Sequence, residues 1–360
     1  MTGVEDLGGG LKASFNYEVA LAPDNIGTKV GTGDKAIDES ARVGFGGTRL
    51  ANLGFSGDFG TVTLGTFLNA HDALRGFSAA TFNQAGGDFL ARHNANFADV
   101  GTAGATFFST ATSTTGNSEL FGGGAAANAT VAVGSLSLTE VNTLQALKAI
   151  NGIGLNGRSS NAVAYSSPVF NGFSLGVGVV QDKASRTPTE AADTRSVKAQ
   201  SFSLNYVNGP LKLAFVTGTA KNTDKDATAA SSFMSMKSTD QGFAVSYDLG
   251  VAQAYIVNES VKATVSGGLL DGLVAKTRAT EAGVKLPMGA FTPYLTVGSG
   301  KITIGQSGDY AFKTSAYQVG TTYDLSKRTQ VYAAFGQDKM TITAFALKRN
   351  GSQVGLVHTF

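Results

Sequence analysis

The chain has 360 residues, of which only 15% are charged, and its formal net charge is +2. So small a charge gives no reason to expect nucleic-acid binding, and the absence of cysteine excludes thiolate chemistry. No stretch approaches the ~18 consecutive apolar residues of a membrane helix, which excludes helical spanning.

Alternation of apolar and polar residues, interrupted by turn residues, predicts about fourteen β-strands. In the first of them Leu11, Phe15 and Val19 share one parity, and polar side chains take the other. The predicted lengths cluster near the ~9–11 residues that cross a bilayer at a tilt. The strands are expected near residues 10–20, 41–57, 60–68, 159–167, 172–182, 196–208, 210–221, 239–249, 251–262, 275–286, 290–300, 312–325, 329–338 and 350–360.

The connections between these strands are predicted to alternate between short and long. Tight turns are expected at 56–60, 167–172, 208–210, 248–250, 287–289 and 324–329. Polar loops are expected at 21–40, 69–158, 183–195, 222–238, 263–274, 301–311 and 339–349. Such an asymmetry between two ends is typical of outer-membrane barrels, whose turns face the periplasm and whose loops face outside.

The connection at 69–158 is too long for a simple loop and is rich in Ala, Gly, Thr and Ser. Its part at 100–135 has low complexity, which predicts an exposed segment. Ser137 and Glu140 have the spacing of a capping box, and apolar residues follow at helical spacing. We therefore expect a short helix at 139–150 inside a long insertion in a single barrel domain that covers 1–360.

Aromatic residues recur at the turn-side end of the predicted strands. An aromatic belt at the membrane interface is typical of barrels, and here it would be built mainly from Tyr because the chain has no Trp. The last strand also ends on an aromatic residue, as a strand paired within a closed barrel can. The expected girdle consists of Tyr165, Tyr206, Tyr247, Tyr323 and Phe360.

Five segments, spread in order along the chain, resemble the trimeric general porins of Gram-negative outer membranes, in the branch typical of beta-proteobacteria. They are residues 5–13, 59–65, 158–173, 323–329 and 354–360. The resemblance implies a sixteen-stranded antiparallel barrel whose third loop folds inward and narrows an aqueous pore. It also implies an arginine-rich constriction, an anion preference and a homotrimer. The first two family strands are almost wholly absent, and the inward loop is longer than the resemblance leads us to expect.

The resemblance assigns candidate constriction residues. Arg158 falls on the family's constriction arginine at the end of the inward loop, and its parity with Ala162 predicts that it faces the lumen. Arg49 matches a second constriction arginine. Asp72 and Asp88, both in the loop, are expected to face these arginines and create a transverse field across the pore.

The charged residues whose position in the strand alternation predicts an inward side chain are expected to make the lumen wall net basic. Its predicted members are Lys12, Lys198, Lys212, Arg278 and Lys285, opposed by Glu18 and Glu281. Charges along a narrow aqueous path decide which ions enter it. We therefore expect passive diffusion of ions and small hydrophilic solutes, with a mild anion preference.

Two other functions were open from the residues. The long insertion could serve adhesion or receptor binding. A barrel hydrolase is disfavoured, because none of His71, His93 and His358 has the wall or surface position that a Ser/His pair requires. We expect no enzymatic activity, no cofactor and no metal site.

The expected location is the outer membrane of a Gram-negative bacterium, although the segment from Met1 to Asp6 carries no export signal. Expected partners are outer-membrane lipid, further copies of the chain in a trimer, the permeating solutes and ions, and the barrel-assembly machinery acting through the C-terminal strand. The strand at 10–20 runs antiparallel to 350–360, so closure of the barrel between these two strands is geometrically allowed.

Overall fold

The computed structural model of the chain describes residues 1–22, 29–30, 37–38, 44–68, 70, 74, 76–79, 158–185, 194–225, 234–267, 271–305, 310–342 and 345–359. Fifteen of the seventeen strands form one antiparallel sheet, and β3 and β4 form a separate two-stranded ladder. The strands of the large sheet pair in chain order, with β3 and β4 lying in the connection between β2 and β5, so the sheet is a meander. None of the helices within the described ranges has the length and apolar run needed to cross a membrane.

The strands are β1 (Thr2–Gly8), β2 (Leu11–Ala22), β3 (Lys29–Val30), β4 (Ile37–Asp38), β5 (Gly44–Gly57), β6 (Gly60–Leu68), β7 (Arg158–Ser166), β8 (Phe173–Ser185), β9 (Thr194–Asn208), β10 (Leu211–Lys225), β11 (Met234–Asp248), β12 (Gln253–Ser266), β13 (Val274–Lys285), β14 (Phe291–Gly305), β15 (Tyr310–Asp324), β16 (Thr329–Ile342) and β17 (Phe345–His358).

One face of the sheet carries large apolar side chains in the rows that alternation predicts. These residues are about 36–60% exposed, far more than core residues, because no residue that the structure describes covers them. A contiguous surface of this kind on a soluble protein would drive aggregation, whereas in a bilayer it contacts lipid. We call this side the outer face. Representative members are Leu53, Leu64, Val177, Leu204, Phe215, Phe243, Ile256, Leu295, Val319 and Phe335.

The first strand, β1, was not predicted. Its apolar residues Val4 and Leu7 lie three positions apart, so they break the period of two. The ladder with β2 has a register shift between Asp6 and Gly8, and such a bulge interrupts alternation. Because β2 pairs with β1 on one side and β5 on the other, the strand at 10–20 has no free edge for the closure against 350–360 that the sequence allowed.

The terminal strands of the sheet are β1 and β17. Fourteen successive antiparallel pairings separate them, so both strands run in the same direction. In β17 the outward residues Val354 and Leu356 are 82% and 60% exposed, and in β1 Val4 is 73% exposed. The margins of the sheet are therefore less covered than its interior strands.

Strands β9 to β17 have 12 to 15 residues each, and all of them except β13 are longer than predicted. At their loop-side ends they extend further than the alternation of apolar and polar residues predicts. The loops expected at 301–311 and 339–349 are therefore reduced to 306–309 and 343–344. The strict alternation of short and long connections therefore fails near the C-terminal end. It holds for the connections that follow β2 and β6. The predicted helix at 139–150 lies outside the described residues.

Candidate functional site

The inner face of the sheet is contacted by the start of the connection between β6 and β7. Leu74 is 0% exposed and Ala79 is 2% exposed, and both belong to one cluster with residues of the opposite wall. Ala70 and Phe77 pack against the same cluster. The wall residues of the cluster are Ala214, Val216, Ala244, Tyr255, Val257, Ala279, Tyr294, Ala316 and Ala334. The described part of the long connection therefore lies on the inner side of the sheet.

Small residues on the wall make room for this segment. Gly242 faces Leu74 so closely that a β-carbon at position 242 would overlap the Leu74 Cδ1 atom. Ala244 and Ala214 are directly paired across β10 and β11, and both are almost fully buried. An inner wall of Gly and Ala thus forms a shallow seat for an apolar side chain, and Leu74 occupies it.

Hydrogen bonds hold the next turn of the segment. The Ser78 hydroxyl donates to Glu281 Oε1, and the Tyr255 hydroxyl donates to the same oxygen at 2.7 Å. Nearby, the Ser238 hydroxyl donates to Asp240 Oδ1 at 3.1 Å. Buried polar groups are costly unless they are hydrogen-bonded, so the bond from Ser78 to Glu281 favours one position of the segment, and the other two bonds lie within the wall. Glu281 has the predicted inward parity but lies fully buried under the segment.

Three tyrosines on the inner face each lie over a glycine of the following strand. The pairs are Tyr255 with Gly283, Tyr294 with Gly320, and Tyr332 with Gly355. A β-carbon at any of these glycines would overlap the tyrosine ring. The Tyr294 hydroxyl donates to Gln318 Oε1 at 2.7 Å, and Gln353 Nε2 donates to the Tyr332 hydroxyl at 2.9 Å. Sequence reasoning missed these pairs, although their parity differs from that of the girdle tyrosines.

The predicted lumen charges divide between the two faces. Lys12 and Glu18 alternate with the outward row of Phe15 and Tyr17, so they lie on the inner face of β2. Lys212 and Lys285 also have inner parity, and their charges lie close enough to interact.

For two residues of the predicted lumen wall, the assignment to the inner face is wrong. Lys198 shares the parity of Phe202 and Leu204, which are outward. Arg278 has the opposite parity from Glu281 and is directly paired with Lys301, so it too lies on the outer face. Both residues lie near the loop-side strand ends, where polar residues occupy both faces and polarity alone does not tell them apart.

The parity assigned to Arg158 is not supported by the ladder. Asn161 has a positive φ of 52°, and the register between β6 and β7 shifts at the same place. Alternation therefore does not carry from Ala162 to Arg158, whose backbone pairs with Leu68. Arg49 lies within β5, and Asp72 and Asp88 lie outside the described residues.

The candidate girdle tyrosines all lie on the outer face near the turn ends. The Tyr165 hydroxyl donates to the Phe59 carbonyl at 2.7 Å, and the Tyr206 ring packs on Phe173 at a centroid distance of 4.4 Å. Tyr247 and Tyr323 are 45% and 46% exposed. Phe360 lies outside the described residues.

Comparison with known proteins gives concordant results. A family model described as Gram-negative porin matches residues 1–342. An outer membrane porin protein of Bordetella pertussis is 28% identical over 242 residues, which is 56% of this chain and 58% of that protein. The chain thus matches less than two thirds of the length of this relative.

Solved structures with higher coverage support the fold. The anion-selective porin from Comamonas acidovorans has a TM-score of 0.62 at 21% identity, with 100% of this chain and 88% of that one covered. OmpT of Vibrio cholerae in its trimer form has a TM-score of 0.58 at 11% identity, with 99% and 89% covered. The predicted all-β porin-type barrel is confirmed. The chain belongs to the Gram-negative porin family.

Proposed function

We propose that this outer-membrane protein forms a water-filled channel for the passive diffusion of ions and small hydrophilic solutes. The observation that carries the proposal is the two-sided wall, with an apolar outer face and a loop segment docked on the inner face. A segment inside a barrel narrows the aqueous path without making or breaking any bond. Steric and electrostatic selection then suffices for function, and no catalytic group is required.

A mild anion preference is part of the proposal. Lys12 and Lys212 are exposed residues of inner parity near the turn end, and Lys285 has the same parity there but is partly buried. Three of the inward carboxylates, Asp240, Glu259 and Glu281, are buried. An exposed charge affects a passing ion more than a buried charge that is already hydrogen-bonded to the protein. The anion-selective porin of Comamonas acidovorans, similar in fold, is consistent with this sign.

Arg158, Arg49, Asp72 and Asp88 remain proposed constriction residues on the strength of the family resemblance alone. A homotrimer is proposed in the same way, since a trimer form is described for the similar OmpT. The rival function, adhesion through the insertion at 69–158, concerns a segment that lies mostly outside the described residues, and no described contact favours it.

Planar-bilayer recording tests the proposal directly. Purified protein should give stepwise conductance increments in potassium chloride, and a salt gradient should give a reversal potential with the sign of chloride preference. A folded, inserted protein that gives no increments would overturn the channel. A reversal potential with the sign of potassium preference would overturn only the anion preference.

A further inference from the structure

The outer face of the sheet carries a belt of basic side chains near the loop-side ends of β9 to β17. Each member has the parity of the outward apolar row on its strand, and each lies within four positions of the loop-side end. We call this set the basic belt. Its members are Lys198, Lys221, Lys237, Lys262, Lys276, Arg278, Lys301, Lys313, Lys339 and Lys348.

Acidic residues in the same strands are segregated to the other face. The described acidic side chains of β9 to β17 all have inner parity, so none of them lies on the face that carries the basic belt. They are Asp240, Asp248, Glu259, Glu281, Asp324 and Asp338. The outer surface at this level therefore has positive charge without described negative charge from the strands.

The register places many of the belt cations directly opposite one another. Such like-charge pairs across neighbouring strands are destabilising by roughly 0.2–1 kcal/mol each in water. Six pairs of this kind recur round the belt, so the arrangement calls for an external anion that lies between the cations. The pairs are Lys198 with Lys221, Lys221 with Lys237, Lys262 with Lys276, Arg278 with Lys301, Lys301 with Lys313, and Lys339 with Lys348.

The height of the belt matches a membrane interface. On β11, Tyr247 of the girdle and Lys237 of the belt are ten positions apart, and on β15 the same holds for Tyr323 and Lys313. Ten residues at ~3.4 Å each, on a strand tilted by about 40°, rise about 26 Å. An outer-membrane barrel has an apolar band about 25 Å tall. The belt thus lies at the headgroup level of the leaflet next to the loops.

One part of the belt is concave. Lys262, Lys276, Arg278 and Lys301 line a single depression on the outer surface, together with Thr239, Gln241, Ser260 and Thr303. Several cations around hydroxyl and amide groups suit a phosphate, because guanidinium and ammonium groups donate strong charge-assisted hydrogen bonds to its oxygens.

We propose that the basic belt binds the phosphate groups of lipid headgroups in the loop-side leaflet, with the depression between β12 and β14 as its principal site. Lysine stems lie along the apolar wall while their ammonium groups reach the headgroups. Anionic lipid at this level neutralises the facing cations and fixes the height of the barrel in the bilayer.

The chain contains no tryptophan, which allows a clean fluorescence test. Gln241→Trp places one fluorophore on the outer face beside the depression. The protein is reconstituted in phosphatidylcholine vesicles that contain a small fraction of dibrominated lipid, either phosphatidic acid or phosphatidylcholine. Contact quenching then reports local lipid composition, and we expect at least about fivefold enrichment of phosphatidic acid over phosphatidylcholine at the reporter.

Variants of the belt and of the inner wall separate specific binding from bulk charge. In the Gln241→Trp background, replacing Lys262, Lys276, Arg278 and Lys301 by Gln should reduce the enrichment to about onefold. Replacing Lys12, Lys212 and Lys285 by Gln should leave the enrichment unchanged, because these residues face inward. A reporter at the other end of the barrel, Leu249→Trp, should show no enrichment.

Three results would overturn the proposal: equal quenching by the two lipids, enrichment that survives in the fourfold belt variant, or loss of enrichment in about 10 mM inorganic phosphate, which would indicate a site for the free anion. Heat-modifiable gel mobility establishes that each variant is folded. The quenching assay does not depend on conduction, so failure of the proposed channel and failure of lipid binding are distinguishable.

Discussion

Truncating Leu74 should release the segment that lies on the inner wall. The side chain is 0% exposed and fills the seat beside Gly242, so Leu74→Ala leaves a cavity between the segment and the wall. Substitutions of buried Leu by Ala cost about 2–5 kcal/mol. At about 1.4 kcal/mol per factor of ten, docking of the segment would weaken roughly 30-fold to 4000-fold.

Single-channel recording measures the consequence. With the segment undocked for part of the time, we expect larger open-channel noise and excursions to higher conductance. Leu213→Ala is the matched control, since Leu213 is an outward residue of β10 and 36% exposed. If Leu74→Ala leaves conductance and noise unchanged in a folded barrel, or if Leu213→Ala changes them equally, docking through this seat does not control the pore.

A double-mutant cycle sharpens the test. Gly242→Ala adds a methyl group where the Leu74 Cδ1 atom lies, so alone it should also loosen the segment. When Gly242→Ala is combined with Leu74→Ala, the added methyl group enters the vacated space. The double variant should therefore weaken docking by less than the sum of the two single effects. Strict additivity would show that Gly242 and Leu74 do not share one seat.

Replacing Lys212 and Lys285 together by Gln should move the reversal potential towards zero, because each charge changes the energy of a chloride ion ~8 Å away by about 0.5 kcal/mol in water; an unmoved potential would remove these residues from the ion path. Arg158→Ala should also lower any anion preference, measured in the same salt gradient, and an unchanged permeability ratio would remove Arg158 from the constriction. Gly320→Val should destabilise the barrel by about 1–3 kcal/mol because its β-carbon overlaps the Tyr294 ring; the midpoint of urea unfolding checks this, and combining it with Tyr294→Ala should reduce the loss.

The period of two predicted the strands best where one face contacts lipid along the whole strand. The rows from Phe173 to Val179 and from Phe243 to Tyr247 illustrate this, because apolar and polar positions there correspond directly to outer and inner faces. At the loop-side ends the outer face leaves the apolar band. There the polarity of a residue no longer indicates which face its side chain is on, which is why Lys198 and Arg278 were assigned to the wrong face.

Bulges account for the remaining differences. Asn161 has a left-handed backbone, which Asn tolerates better than most residues, so nothing in the residue pattern signals the change of register before Arg158. The shift in β1 concealed a whole strand. Seats such as that of Leu74 depend on contacts between residues far apart in sequence, and alternation carries no information about them.

The tyrosine–glycine pairs of the inner face have a consequence for assembly. They join β12 to β13, β14 to β15 and β16 to β17, which are the hairpins connected at the loop end. A slip of one residue would bring each ring against a residue with a β-carbon, and it would also exchange the two faces of the strand. Each of these hairpins therefore carries its own check on alignment before it meets its neighbours, so the C-terminal part of the wall can be built from units whose pairing is already correct.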